Sequence, residues 1–212
     1  MTARPGFPDL DIAPVSAVVA PVGFVTARGD DADPALDGVR RGIADVRLEV
    51  FVGEQAVPFV LEIDARDFLA TTVHVLAVGA DGAALGAGRL LRDPARPGRV
   101  HLGRLAVRRI ARGTGLGARL VAALEAAAPT ALAPAPGAGA PGSSALALAP
   151  GAGAPSPAVP GGAGITVVLA AQEQAMGFYE RCGYREVGGG RYLDAGIWHR
   201  DMARTLPGVG AP

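Results

Sequence analysis

The chain has 212 residues, half of them hydrophobic, and a formal net charge of zero. That length suffices for one well-buried domain with appendages, and the neutral balance argues against a nucleic-acid or acidic-membrane partner. Lysine is absent, which excludes a Schiff-base or Walker-type lysine, and the single Cys182 excludes an intrachain disulfide framework and fits a reducing cytoplasm.

Residues 1–21 read as a loose, proline-rich leader. The apolar stretch at 12–25 follows Asp9 and Asp11 and is interrupted by Pro14 and Pro21, the wrong charge order for a secretory signal. No stretch has the ~20 strongly apolar residues of a membrane-spanning helix, so the expected setting is the cytoplasm. A strand is expected at 23–28. Pro34 then stands at a first helical position with Asp33 as its cap, and Leu36, Val39, Ile43, Val46 and Val50 recur at helical spacing. The less regular stretch 51–70 carries Glu54, Gln55, Glu62, Asp64 and Asp67.

Strands are expected at 73–78 and 84–91, joined by the turn pair Asp81-Gly82, and at 99–107. A glycine-rich turn opens a helix over 116–127, with Leu116, Leu120, Val121 and Leu124 on its apolar face and Pro129 closing it. From 129 to 162 the composition collapses to Ala, Pro and Gly, too little apolar bulk to offset the entropy of ordering, so a disordered insertion is expected. A buried strand at 165–170 and a helix at 173–182 follow. That helix has Ala175, Phe178, Tyr179 and Cys182 on one face and Gly183 as its stop. Strands at 184–187 and 197–202 complete one domain, 22–204, with a tail at 205–212. The element order is that of a mixed α/β (α+β) domain around a central sheet.

The most informative segment is Leu105-Ala106-Val107, a short basic connector, and Arg112-Gly113-Thr114-Gly115-Leu116-Gly117-Ala118. A strand running into a glycine-dense turn that opens a helix leaves main-chain N–H groups bare for a phosphate. The absent lysine rules out a Walker motif. The stretch Gly113 to Ala118 nominally fits a dinucleotide fingerprint, but five residues separate it from its strand, and the ribose-binding acid is missing.

A third pattern, Arg-x-x-Gly-x-Gly at Arg112, Gly115 and Gly117, resembles the GNAT superfamily of N-acyltransferases. A second block in the right order carries the resemblance further: strand 165–170, then Gln172, Ala175, Phe178-Tyr179, Gly183 and Tyr184. Gln172 and Tyr184 replace the family's usual Asn and Phe. The likeness covers about 22–128 and 163–204. A finer likeness is to the ElaA-like branch. It rests on the run Arg47 to Gln55, on Val57-Pro58, on Asp64, Asp67 and His74, and on Gly196-Ile197-Trp198-His199 with Met202.

The resemblance implies a mostly antiparallel sheet of six to seven strands, splayed between the strands at 99–107 and 165–170 and flanked by helices. It implies acetyl-CoA as acyl donor, and three scattered histidines with no close acidic or cysteine spacing separately argue against a metal. Pantetheine would lie against Leu105, Ala106 and Val107, and the diphosphate would lie on Arg112, Gly113, Thr114, Gly115, Gly117 and Ala118, with Gln172 completing the cofactor site. Tyr179 would protonate the leaving thiolate. His101, expected to share alternation parity with Leu105 and Val107, is the candidate base. His74 and His199 could shape the acceptor pocket or simply pack. Glu62, Asp64 and Asp67, with Glu54, read either as an anionic acceptor pocket or as a solvated charged run. The acceptor would be a small-molecule or peptide amine, and an exposed sheet edge would permit a homodimer. A non-catalytic acyl-CoA sensor of the same fold is the alternative.

Overall fold

Val73, Val75 and Ala77 alternate with His74 and Leu76, and both sets are buried, so their strand lies at the centre of a sheet covered on both faces. The computed structural model describes residues 21–62, 64–133 and 164–207. Its strands are β1 (Val22–Arg28), β2 (Val73–Gly79), β3 (Ala84–Arg92), β4 (Arg99–Val107), β5 (Ile165–Gln172), β6 (Arg185–Glu186), β7 (Tyr192–Asp194) and β8 (Ile197–Leu206). The helices are α1 (Asp37–Arg47), α2 (Phe59–Glu62), α3 (Leu116–Leu132) and α4 (Met176–Arg181). Among the described residues the sheet has eight strands, in the order β1-β2-β3-β4-β5-β8-β6 with β7 paired to β8. The extra strand over the expected six to seven is the three-residue β7, too short to show a period.

Every pairing is antiparallel except β4 with β5. That parallel pair is joined only at Arg99–Thr166, Val100–Val167 and His101–Val168. Beyond it the strands diverge, so both facing edges lack a partner strand, which is the splay the family resemblance implied. β4 also carries a bulge. Its register with β3 jumps between Ala87 and Arg89, where Gly103, Arg104 and Leu105 oppose a shorter stretch, and Arg104 takes φ +52. The bulge overturns the expected parity of His101: Val100 and Leu102 before it, and Leu105 and Val107 after it, all pack on one face, while Ala106 faces the other.

The core has two parts. On one face α3 packs Leu116, Leu120, Val121 and Leu124 against Val73, Val75, Leu90 and Leu102. Gly88 of β3 makes this approach possible, because a Cβ there would stand 2.5 Å from Leu124 Cδ1. On the other face α1 packs Ile43 and Val46 against Leu76, Ala87 and Ala106.

The cap expected at Asp33 is present: its side chain accepts from Ala35 N at 2.9 Å, and Pro34 begins a short 3-10 turn. The helix does not end at Val50 but widens into a π-helix, Leu48–Glu54. Pro129 does not close α3, which continues to Leu132 because Ala128 and Ala131, both fully buried, hold the last turn in the core. The segment expected to be an insertion from 129 is therefore helical as far as Leu132, and the remainder of 129–162 lies outside the described residues, as does most of the 1–21 leader. β8 runs four residues past the expected 202. Its Arg204 donates to Glu125 of α3 at 2.9 Å and to the Cys182 carbonyl at 2.8 Å, tying three elements together.

Candidate active site

The divergence of β4 and β5 opens a cleft of about 1280 Å³. It gathers Leu105, Ala106, Val107, Arg112, Gly113, Gly115, Gly117, Ala118, Gln172 and Tyr179. Of the residues expected at the site, Thr114 and His101 do not line it. The Thr114 hydroxyl donates to the Ala111 carbonyl at 2.8 Å and so closes the turn from behind. His101 lies at the base of the fork, where its Nε2 is 3.1 Å from Asp93 Oδ2.

The turn has the backbone the sequence implied. Gly113 and Gly115 take φ +79 and +81, and the space beside each is open to 4 Å. Gly115 caps α3 without a side-chain bond, and no described residue accepts the N–H groups from Gly113 to Ala118. These bare donors stand at the positive end of a 17-residue helix. Arg112 is braced beside them: its Nε donates to the Val107 carbonyl at 2.9 Å and its Nη2 pairs with Glu54 at 2.6 Å.

Tyr179 is 8 % exposed and packs edge-to-face on Phe178 and Tyr184, with ring centroids 4.9 and 5.9 Å away. No described residue hydrogen-bonds its hydroxyl. Burial, with a smaller contribution from Cys182, pushes the phenol well above its ordinary value, so it keeps its proton at neutral pH. Gln172 donates to Gln55 Oε1 at 2.9 Å, which joins the end of β5 to the end of the π-helix.

His199 enters the cleft from β8, opposite Gln172 in the β5–β8 register. Its Nδ1 lies 2.9 Å from the Ile197 carbonyl, which can only accept. The proton therefore sits on Nδ1, and Nε2 presents a lone pair. The ring stacks on Tyr192, whose hydroxyl donates to Asp201 at 2.7 Å. Sequence reasoning named His199 without assigning it to transfer. Its pairing with Gln172, which would have pointed to the fork, is long-range.

The carboxylates of 51–70 form neither a free anionic pocket nor a solvated run. Glu62 is 4 % exposed and bonds Arg47. Asp67 accepts from Arg47 at 2.9 Å and from Arg89 at 2.6 Å, and Asp64 from Arg89 at 2.9 Å. Burial alone would raise the Asp64 and Asp67 carboxyls. Hydrogen bonds from Arg66 and Arg47 and the charge of Arg89 outweigh it and hold both below the usual carboxylate range. His74 stands behind this layer, against a separate cavity of about 320 Å³. Burial, helped by the charges of Arg47 and Arg89, lowers its imidazole. Among the described residues no cluster of His, Cys, Asp or Glu could hold a metal, and no helix is long and apolar enough to cross a membrane.

Residues 41–133 match the family model described as "Acetyltransferase (GNAT) family". The uncharacterised N-acetyltransferase YjcF of Bacillus subtilis is 32% identical over 160 residues, covering 75% of this chain and 87% of YjcF. The chain belongs to the GNAT acetyltransferase family. A UPF0039 protein of Mycobacterium tuberculosis is 43% identical over 79 residues, which is 37% of this chain and half the length of that relative. An acyl-CoA N-acyltransferase of Pseudomonas aeruginosa superposes with a TM-score of 0.61 at 28% identity, over 87% of this chain and 99% of that one. Escherichia coli ElaA also superposes with a TM-score of 0.61, over 86% of this chain and 99% of its own, and at 20% identity that likeness is of the fold. The GNAT fold accounts for the mostly antiparallel sheet, its fork and its flanking helices.

Proposed function

We propose that the protein is an acetyl-CoA-dependent N-acetyltransferase that moves an acetyl group to a primary amine by direct attack. The observation that carries this reading is the run of bare N–H groups from Gly113 to Ala118 at the open end of the β4–β5 fork. A diphosphate fits those donors, and an extended pantetheine fits between two strand edges that lack partners. Leu105, Ala106 and Val107 offer the main chain on one side and Gln172 closes the other.

Bound acetyl-CoA supplies the thioester whose carbonyl carbon the amine attacks, a C–N bond forming as the C–S bond breaks. His199 Nε2 takes the proton lost by the amine nitrogen. Tyr179 gives its hydroxyl proton to the departing sulfur and recovers one from solvent, so one proton enters the protein and one leaves it in each turnover. His101, bonded to Asp93 outside the cleft, has no part in this scheme.

The test is thiol release from acetyl-CoA by the full chain across a panel of primary amines. Amine-dependent release with matching acetylated product supports the reading. Tight CoA binding with no amine turned over would instead assign a sensor of the same fold.

A further inference from the structure

An ion network lies beneath one end of the cleft, and three of its arginines face the cleft. Arg66, Arg89 and Arg104 line the cleft, whereas Glu62, Asp64 and Asp67 line the smaller cavity behind it together with Arg28, Arg40 and Arg47. With Arg47, four guanidinium groups meet three carboxylates. Three carboxylates leave one of the four guanidinium groups in excess, and Arg66, Arg89 and Arg104 of the four face the cleft.

Arg89 is 5 % exposed and uses a single nitrogen, Nη1, for both Asp64 and Asp67, while its buried Nε–H has no acceptor among the described residues. A buried guanidinium with an unpaired N–H is costly unless a ligand pairs it. Arg104 is placed in the cleft by the β4 bulge. It donates to the Leu61 carbonyl at 2.9 Å, and its Nε lies 3.3 Å from Glu62 without a hydrogen bond. Burial depresses Arg104 against the opposing charge of Glu62, and the charges of Arg89 and Arg47 depress it further. Arg66 is half exposed at the rim. The other lining charges lie elsewhere: Arg112 is paired with Glu54, Arg181 belongs to α4, and Asp194 stands on the β7 wall beside His199.

We infer that the amine accepted by this cleft carries a carboxylate, which Arg104 and Arg89 bind while the amine end faces Asp194 and His199 on the opposite wall. The inference rests on the acetyltransferase reading and names its substrate class. It replaces the cationic-amine pocket that the acidic run in the sequence suggested, because those acids are spent on arginines behind the cleft. A planar carboxylate suits the forked donors of arginine better than a point anion does.

The experiment compares matched amines that differ in the carboxylate alone: lysine with cadaverine, arginine with agmatine, and an amino-terminal glycine dipeptide with its C-terminal amide. Ethanolamine and phosphoethanolamine report on phosphate. The carboxylated member of each pair should have a kcat/KM at least ten-fold higher. Arg104→Gln should erase the preference, and should do so through KM of the carboxylated amines. Arg66→Gln, at an exposed position, should reduce it less and guards against misfolding of the first variant. Equal or better turnover of the decarboxylated amines, or a preference confined to phosphoethanolamine, would overturn the inference while leaving the acetyltransferase reading intact. Failure of CoA itself to bind would instead remove that reading.

Discussion

Tyr179 and His199 reach the cleft from different elements and are prepared in opposite ways. The phenol is buried beside Phe178 and Tyr184 and retains its proton, whereas the imidazole has its Nδ1 proton fixed by the Ile197 carbonyl and so offers Nε2 as an acceptor. One is suited to give a proton and the other to take one. Tyr179→Phe should lower kcat by roughly 10²-fold or more while acetyl-CoA affinity, measured by titration, stays within about two-fold. His199→Gln should lower kcat by roughly 10²-fold while acetyl-CoA affinity stays within about two-fold. An unchanged kcat would return the base to solvent. That Tyr179 would line the cleft was legible in the sequence from the Phe-Tyr block. That His199 and not His101 lines the cleft was not, because it depends on where β4 and β5 part, and His101 is still paired with Val168 at the base of the fork.

At the scale of elements, the glycine turn was legible because its demands are local. Positive φ at Gly113 and Gly115, bare N–H groups and a helix opening at Leu116 are written within a few residues. Gly115→Asp should leave the fold in place, since Asp tolerates a left-handed backbone better than most residues and the space around Gly115 is open. It would put a negative charge among the bare N–H donors, and on the proposed reading CoA affinity should fall by at least 100-fold with a melting temperature within a few degrees of the parent. Retained affinity would show that the turn does not hold the diphosphate. The extent of α3 was misread for a physical reason. Pro129 removes one hydrogen bond, but the burial of Ala128 and Ala131 keeps the chain helical through it. The π-helix was illegible, since its apolar positions Val50 and Phe51 continue the α1 pattern by sequence alone.

For the whole molecule, the arginine and carboxylate layer joins α1, α2, the 3-10 turn Ala65–Phe68, β3 and β4. None of its long-range pairs could be read from a linear sequence, although three arginines in otherwise apolar segments were a signal that they must be paired. The layer makes stability depend on pH in one direction. His74 is lowered in the fold, so the unfolded chain binds its proton first and stability declines as pH falls below about 6.5. Asp64 and Asp67 are also lowered, so the stability they contribute is present above about 4 and is lost progressively on further acidification. Thermal unfolding should therefore give a falling melting temperature from pH 7 to 5 and a steeper fall below 4. A rise over either interval would contradict the buried network.

The central claim, that the β4–β5 fork and its glycine turn hold coenzyme A, is tested most directly by titration calorimetry of the full chain with acetyl-CoA, CoA and NADH. Saturable binding of both CoA species, with no heat from NADH, is the predicted result. Binding of NADH, or of none of the three, would contradict it.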